Sequence, residues 1–251
     1  MALGKVYLVG AGPGAQDLIT LRGARLLAQA DVVLHDALVT SEMLELCPQA
    51  EKILVGKRCG QLSTVQAFIN KQMVDKARKF PLVVRLKGGD PMLFGRADEE
   101  LHALEAAGIE VEVVPGITTA VAAAAATRQP LTKRGVARSV AFFTSSTAPE
   151  HADQQAIPDT DTLVQYMGGR EAISTAQRLL AQGRKPATPV IVIENCSRPD
   201  QRIMRMTLAS LAQGLGAAQG PVLVMVGEAM RLRVGQADDT AQPVSKPLCC
   251  A

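Results

Sequence analysis

Nine short apolar runs, rich in β-branched residues, recur along the chain and are separated by stretches that suit helices or turns. The first five are Lys5-Val-Tyr-Leu-Val, Asp31-Val-Val-Leu, Lys52-Ile-Leu-Val, Pro81-Leu-Val-Val-Arg-Leu and Glu110-Val-Glu-Val-Val. Ser139-Val-Ala-Phe-Phe, Thr162-Leu-Val-Gln-Tyr, Pro189-Val-Ile-Val-Ile and Pro221-Val-Leu-Val-Met-Val follow. Near-continuous apolar runs of this length predict strands buried on both faces, as in sheets covered by helices. Between them, Thr20 can cap a helix over 21–30 with Ala24, Leu27 and Ala28 on one face. Thr64 can cap another whose stripe is Val65, Phe68, Ile69 and Met73. Gly108 and Gly183 read as stops for helices over 103–107 and 173–182. Strands alternating with helices predict an α/β fold.

Pro115-Gly116 interrupts the pattern after the fifth strand and marks the expected domain boundary. That gives an N-terminal α/β domain over 1–115 and a C-terminal α/β domain over 116–236. The remainder, 237–251, is polar and Pro-containing without periodicity, and is expected to be disordered.

Composition narrows the class. Apolar residues make up 47% of the 251, with no Trp and 3% aromatics, so a sizeable core can be built from Ala, Val, Leu and Ile. The net charge of +3 carries no clustered basic stripe with stacking aromatics, which argues against a nucleic-acid partner. No segment reaches the ~18 apolar residues of a membrane span, and the first strand follows the N-terminus too closely for a targeting segment. The five cysteines form no C-x-x-C pair and no metal-ligand spacing, which reads as reduced thiols in a cytoplasmic setting with no metal. Leu248 stands where a C-a-a-X tail needs Cys.

Gly10-Ala-Gly-Pro-Gly-Ala15 after the first strand satisfies G-x-G-x-x-G/A, and Asp36 ends the second strand. One reading is therefore a nicotinamide or flavin dinucleotide oxidoreductase. Two features oppose it. The first helix cap is Thr20, so the helix does not open within the glycine loop, and Pro13 removes an amide donor where a phosphate cradle needs donors. Comparable turns close other strands: Lys87-Gly-Gly-Asp-Pro91, Pro115-Gly-Ile-Thr-Thr119 and Tyr166-Met-Gly-Gly169. Each alone is an ordinary structural turn; four at strand ends suggest one ligand site.

Longer motifs carry more. Val9 to Leu21, Arg85-Leu-Lys-Gly-Gly-Asp-Pro-Met-Leu-Phe-Gly-Arg96, Val113-Val-Pro-Gly-Ile-Thr118 and Pro130-Leu-Thr-Lys-Arg-Gly135 resemble the tetrapyrrole methylase family. Within it they are most similar to uroporphyrinogen-III C-methyltransferases, over about residues 4–234. The resemblance implies two α/β domains with a cofactor cleft between them, S-adenosylmethionine as methyl donor and S-adenosylhomocysteine as product. It also implies a homodimer. By motif, cofactor contacts fall on Pro13, Gly88, Gly89, Asp90, Leu93, Thr118, Thr119, Met167 and Cys196. Asp36 resembles a residue proposed as general base, and Lys57 its acid or substrate-binding partner. The plain alternative for Lys57 is a solvated lysine after a strand.

The implied reaction is methylation of uroporphyrinogen III at C2 and C7 to give precorrin-2, for sirohaem or cobalamin biosynthesis. Direct in-line transfer to enamine-like ring carbons requires no metal and no covalent enzyme intermediate. The substrate carries eight carboxylates, which arginine forks bind bidentately. Arg58, Arg96 and Arg134 sit in loop motifs and are the candidates, against the alternative of plain surface arginines. The chain departs from the family pattern at Met92, Ala97, Ser145-Ser146 and Cys196, the last standing where Gly is usual. These departures keep a neighbouring precorrin methyltransferase as the alternative, beside a catalytically dead binding module on the same fold.

Overall fold

A computed structural model of the chain describes residues 3–55, 66–145, 156–216 and 218–233. Lys57, Arg58, the expected cap Thr64, its neighbour Val65, Ser146 and the tail over 237–251 lie outside them. The chain divides into two compact units, one ending at Thr118 and the other beginning at Thr119.

The first unit is a five-stranded parallel sheet in the order β3-β2-β4-β1-β5. Its strands are β1 (Lys5–Gly10), β2 (Val32–His35), β3 (Glu51–Leu54), β4 (Leu82–Lys87) and β5 (Val111–Val114). Four helices connect them: α1 (Leu21–Leu27), α2 (Ser41–Leu44), α3 (Gln66–Ala77) and α4 (Ala97–Ala106). Alternation along the strands sorts side chains into two apolar layers. Val6, Leu8, Val32, Leu34 and Val83 pack with Ile69 and Met73 of α3 and Leu104 of α4. Val9, Val33, Val84 and Leu86 pack on the other face with Leu27, Met43 and Cys47. Each fully buried Leu or Met contributes about 1.5–3 kcal/mol relative to exposure, so these layers dominate the unit's stability.

Local chemistry sets the helix starts. The Thr20 hydroxyl accepts from the Gly23 amide at 3.1 Å and begins α1, as its sequence predicts. The helix is shorter than expected and turns Gly23 and Leu27 inward, leaving Ala28 exposed. In α3 the buried stripe is Gln66, Ile69, Met73 and Ala77, and Phe68 is exposed, contrary to its expected place in the core. Residues three and four apart share a helix face, and Phe68 falls off the one Ile69 and Met73 define.

The second unit holds a mixed five-stranded sheet in the order β6-β7-β10-β8-β9. The strands are β6 (Val140–Thr144), β7 (Thr162–Tyr166), β8 (Pro189–Glu194), β9 (Arg202–Thr207) and β10 (Val222–Val226). Only β6 and β7 pair in parallel; β7–β10, β10–β8 and β8–β9 are antiparallel. Helices α6 (Gly168–Ala181) and α7 (Leu208–Gln213) cover one face, and α5 (Thr119–Thr127) covers the other with its small Ala120 and Ala123. Strand β9 is an addition to the nine runs read from the sequence. Helix α6 also begins five residues earlier than expected, so Gly168 and Gly169 are helical and Met167 alone makes the turn. Gly108 and Gly183 end their helices with positive φ, 69° and 91°.

Candidate active site

In a parallel sheet every strand ends at the same edge, and ligands bind beyond those carboxyl ends. The first unit concentrates its glycines there. The loop after β1 and the turn after β4 zip together. The Gly89 amide donates to Gly12 O at 2.7 Å, and the Gly12 amide donates back to Gly89 O at 3.1 Å. The turn after β5 presses against both. A Cβ on Gly10 would lie 2.6 Å from Gly116 Cα, and one on Gly116 would lie 2.3 Å from Gly89 O. No side chain fits at either position. Gly89 differs: it has φ +69°, and a Cβ there would meet nothing within 4 Å. The backbone is therefore bare on that side, a cradle that any side chain would fill.

Asp90 braces this assembly. Its Oδ1 accepts from the Met92 amide at 2.8 Å and its Oδ2 from the Gly116 amide at 2.9 Å. The carboxylate thereby fixes the β4 turn to the β5 turn, leaving its remaining lone pairs for a ligand. Pro13, Leu93 and Thr118 are half-buried around the same loops. The loop after Pro13 continues as a 3-10 turn, Gln16–Leu18, before α1 begins at Leu21. The helix N-terminus is thus removed from the glycine loop, and the premise of the dinucleotide reading fails.

Beside the glycine turns lies a buried ionic chain that the sequence reading did not single out. Asp36 follows β2 and receives Arg85 Nη2 on its Oδ1. Arg85 Nε donates to Glu100 Oε1 at 3.0 Å, and Lys87 Nζ donates to Glu100 Oε2 at 2.7 Å. Gln66 Nε2 adds a donor to Glu100 Oε1 at 3.3 Å. Glu100 is fully buried and Arg85 and Lys87 nearly so, whereas the Asp36 side chain keeps 28% of its surface exposed. Burial lowers the Lys87 pKa, assisted by the neighbouring Arg85 charge and opposed by Glu100. Burial also works against the Arg85 charge, but Asp36 and Glu100 outweigh it and raise its pKa. A signal was present in the sequence: in Val83-Val-Arg-Leu-Lys87, charges replace apolar residues at alternate positions of a strand otherwise buried.

The arginines differ in setting. Arg96 is exposed, has φ +55°, and forks onto Glu99 with bonds of 2.7 and 2.8 Å. Binding a substrate carboxylate would exchange one partner for another of the same kind. Arg134 is exposed in the turn closed by the Lys133–Ala137 bridge. Lys57 and Arg58 lie outside the described residues.

In the second unit, Met167 follows β7 with φ +55° and is 51% exposed. The adjacent Tyr166 hydroxyl accepts from the Ala120 amide at 3.2 Å, which satisfies one free donor in the first turn of α5, next to Thr119. The Phe142 ring meets Tyr166 edge-on at 6.0 Å and holds it. Cys196 is buried among Ala120, Ala123, Ile193 and Met225, so its thiol fills core. Among the described residues, no cluster of His, Cys, Asp or Glu could hold a metal ion, and no helix is long and apolar enough to cross a membrane.

A parallel α/β unit with close-packed glycine turns and a carboxylate at its ligand edge, joined to a second α/β unit, defines a class of small-ligand-binding enzymes. Comparison fixes the family. The chain matches the Tetrapyrrole (Corrin/Porphyrin) Methylases over residues 5–212, and belongs to that family. Siroheme synthase 2 of Yersinia pestis (strain Pestoides F) is 44% identical over 253 residues, covering 97% of this chain and 54% of that protein. The siroheme synthase of Azotobacter vinelandii is 46% identical over 238 residues, with coverages of 92% and 51%. The chain thus spans about half the length of these curated relatives. Uroporphyrin-III C-methyl transferase from Thermus thermophilus, solved in complex with S-adenyl homocysteine, is 38% identical with TM-score 0.81. It covers 96% of this chain and 98% of its own. A cobalt precorrin-4 methyltransferase is 28% identical with TM-score 0.77, covering 91% and 96%.

Proposed function

We propose that this chain is an S-adenosylmethionine-dependent C-methyltransferase that methylates uroporphyrinogen III at C2 and C7 to give precorrin-2. The observation that carries the reading is the bare glycine backbone at Gly89, at the same sheet edge as an anchored carboxylate, Asp36. Greater identity to a uroporphyrin-III methyltransferase than to a precorrin-4 methyltransferase favours the earlier substrate. The residues fit the cofactor at Gly89, which leaves room that a side chain would occupy.

When bound, S-adenosylmethionine supplies a sulfonium methyl, already electrophilic. Pro13, Gly88, Gly89, Asp90, Leu93, Thr118, Thr119, Met167 and Cys196, the residues carried over by motif, would hold it. These residues supply orientation, which is worth several kcal/mol when a nucleophile must meet a methyl in line. Asp36, partly exposed, accepts the proton that the methylated ring system must lose, a contribution on the order of 10²–10⁴-fold. Arg96 and Arg134, with Arg58 and Lys57, receive the acidic arms. The homodimer and cytoplasmic setting of the resemblance belong to this reading, as does supply to sirohaem or cobalamin synthesis.

Anaerobic incubation with uroporphyrinogen III and methyl-labelled S-adenosylmethionine, followed by mass analysis of the tetrapyrrole, tests it. A gain of two methyl groups is expected. No gain, with S-adenosylhomocysteine bound normally, would move the substrate to a later precorrin.

A further inference from the structure

We infer that Arg85, anchored by Glu100, is a positioning residue that fixes the Asp36 carboxylate at the ligand edge of the first unit. The assignment rests on reading Asp36 as the base. It starts from an oddity of β4. Val83, Arg85 and Lys87 share the sheet face that packs on α3 and α4, and Val83 behaves as such a position should. The next two inward positions hold cations, nearly devoid of exposure. Buried ion pairs add little net stability, and apolar residues of similar volume commonly serve as well. Packing alone therefore does not account for two buried cations in succession, or for Glu100 on the inward stripe of α4 between Ala97 and Leu104.

What an apolar pair could not do is hold a carboxylate. The Arg85 guanidinium is bound on all three nitrogens: Nε to Glu100, Nη2 to Asp36, and Nη1 to the carbonyls of Leu34 at 3.5 Å and Leu86 at 3.2 Å. Leu34 lies two residues before Asp36, so the fork ties the carboxylate to β2 and β4 together. Glu100 sets the plane of the fork through Nε, and Lys87 neutralises its second oxygen. The four side chains carry two positive and two negative charges. Only Asp36 emerges.

The test is a double-mutant cycle on the full chain with Arg85→Lys and Asp36→Asn, in the uroporphyrinogen assay. Arg85→Lys keeps the charge but loses the planar fork. Its kcat is expected to fall about ten- to a hundredfold, as small misplacements of a reacting group do. KM for S-adenosylmethionine and S-adenosylhomocysteine binding should stay within about twofold of wild type. In the Asp36→Asn background the same change should have little further effect, because there is no base left to place. Equal fold losses in both backgrounds would overturn the assignment and make Arg85 a structural residue. Full activity of Asp36→Asn would instead overturn the reading of Asp36 itself. If Arg85→Lys does not fold, Glu100→Gln enters the same cycle with the same expectation. A crystal structure of either variant supplies a readout independent of turnover: an undisplaced Asp36 carboxylate would also sink the proposal.

Discussion

The thiol of Cys196 sits between Asn195 and Ser197, both with positive φ, 51° and 58°. Burial pushes its pKa up to about 12, against a weaker opposing hydrogen bond from the Ser197 amide. The unfolded thiol ionises near 9.0, so above that pH the unfolded chain releases a proton that the folded chain retains. The stabilisation is complete below about pH 9 and is lost as pH rises towards 12, by at most about 1.4 kcal/mol per pH unit. Burial raises the Cys47 thiol in the same direction. Urea unfolding at pH 8 and pH 10 should show a drop in wild type that shrinks in Cys196→Ala. An equal drop in both would refute it. The departure from Gly at 196 was legible in the sequence, but its consequence was not. Whether a side chain joins the core depends on the packing around it, and one sequence does not display that.

Among the elements, the glycine turns make the sharpest demand. Gly116→Ala would place a methyl 2.3 Å from a backbone oxygen, so the turns after β1, β4 and β5 must separate. Overpacking of this kind typically costs about 1–3 kcal/mol, and here it should also weaken S-adenosylhomocysteine binding. Gly169→Ala is the control: its Cβ meets Val222 Cγ2 at an ordinary 3.6 Å within α6, where Ala is the better helix former by up to about 1 kcal/mol. Thermal melting and ligand titration of both variants check the contrast. Most strands were readable because Val and Ile runs have one physical use in an α/β protein. β9 was not, because Arg202-Ile-Met-Arg-Met-Thr207 carries two arginines and unbranched methionines. It is a strand because it pairs with β8, setting Arg202 opposite Glu194 and Ile203 opposite Ile193. The ionic chain escaped for a related reason. Arg85 and Glu100 are fifteen residues apart, and only the packing of α4 on β4 makes them neighbours.

At the scale of the molecule, each unit has its own sheet and its own apolar layers on both faces. A cofactor held by the folded chain and not by the unfolded one should stabilise it by mass action. At a hundredfold excess over Kd, S-adenosylhomocysteine should raise the unfolding free energy by about 2.7 kcal/mol, visible as a rise in Tm. NAD should leave Tm unmoved. The reverse result would restore the dinucleotide reading that the delayed start of α1 argues against.

The parallel sheet of the first unit sorts its connections by edge, and that has a practical corollary for engineering. The turns to which the proposed function assigns roles lie at the carboxyl edge, whereas the described turns entering the strands at the amino edge carry none of them. Gly108, exposed, just past α4 and with open space around its Cα, belongs to the second kind. An affinity handle, a fluorophore or the break point of a split reporter placed there should leave the glycine turns at the opposite end of the strands undisturbed.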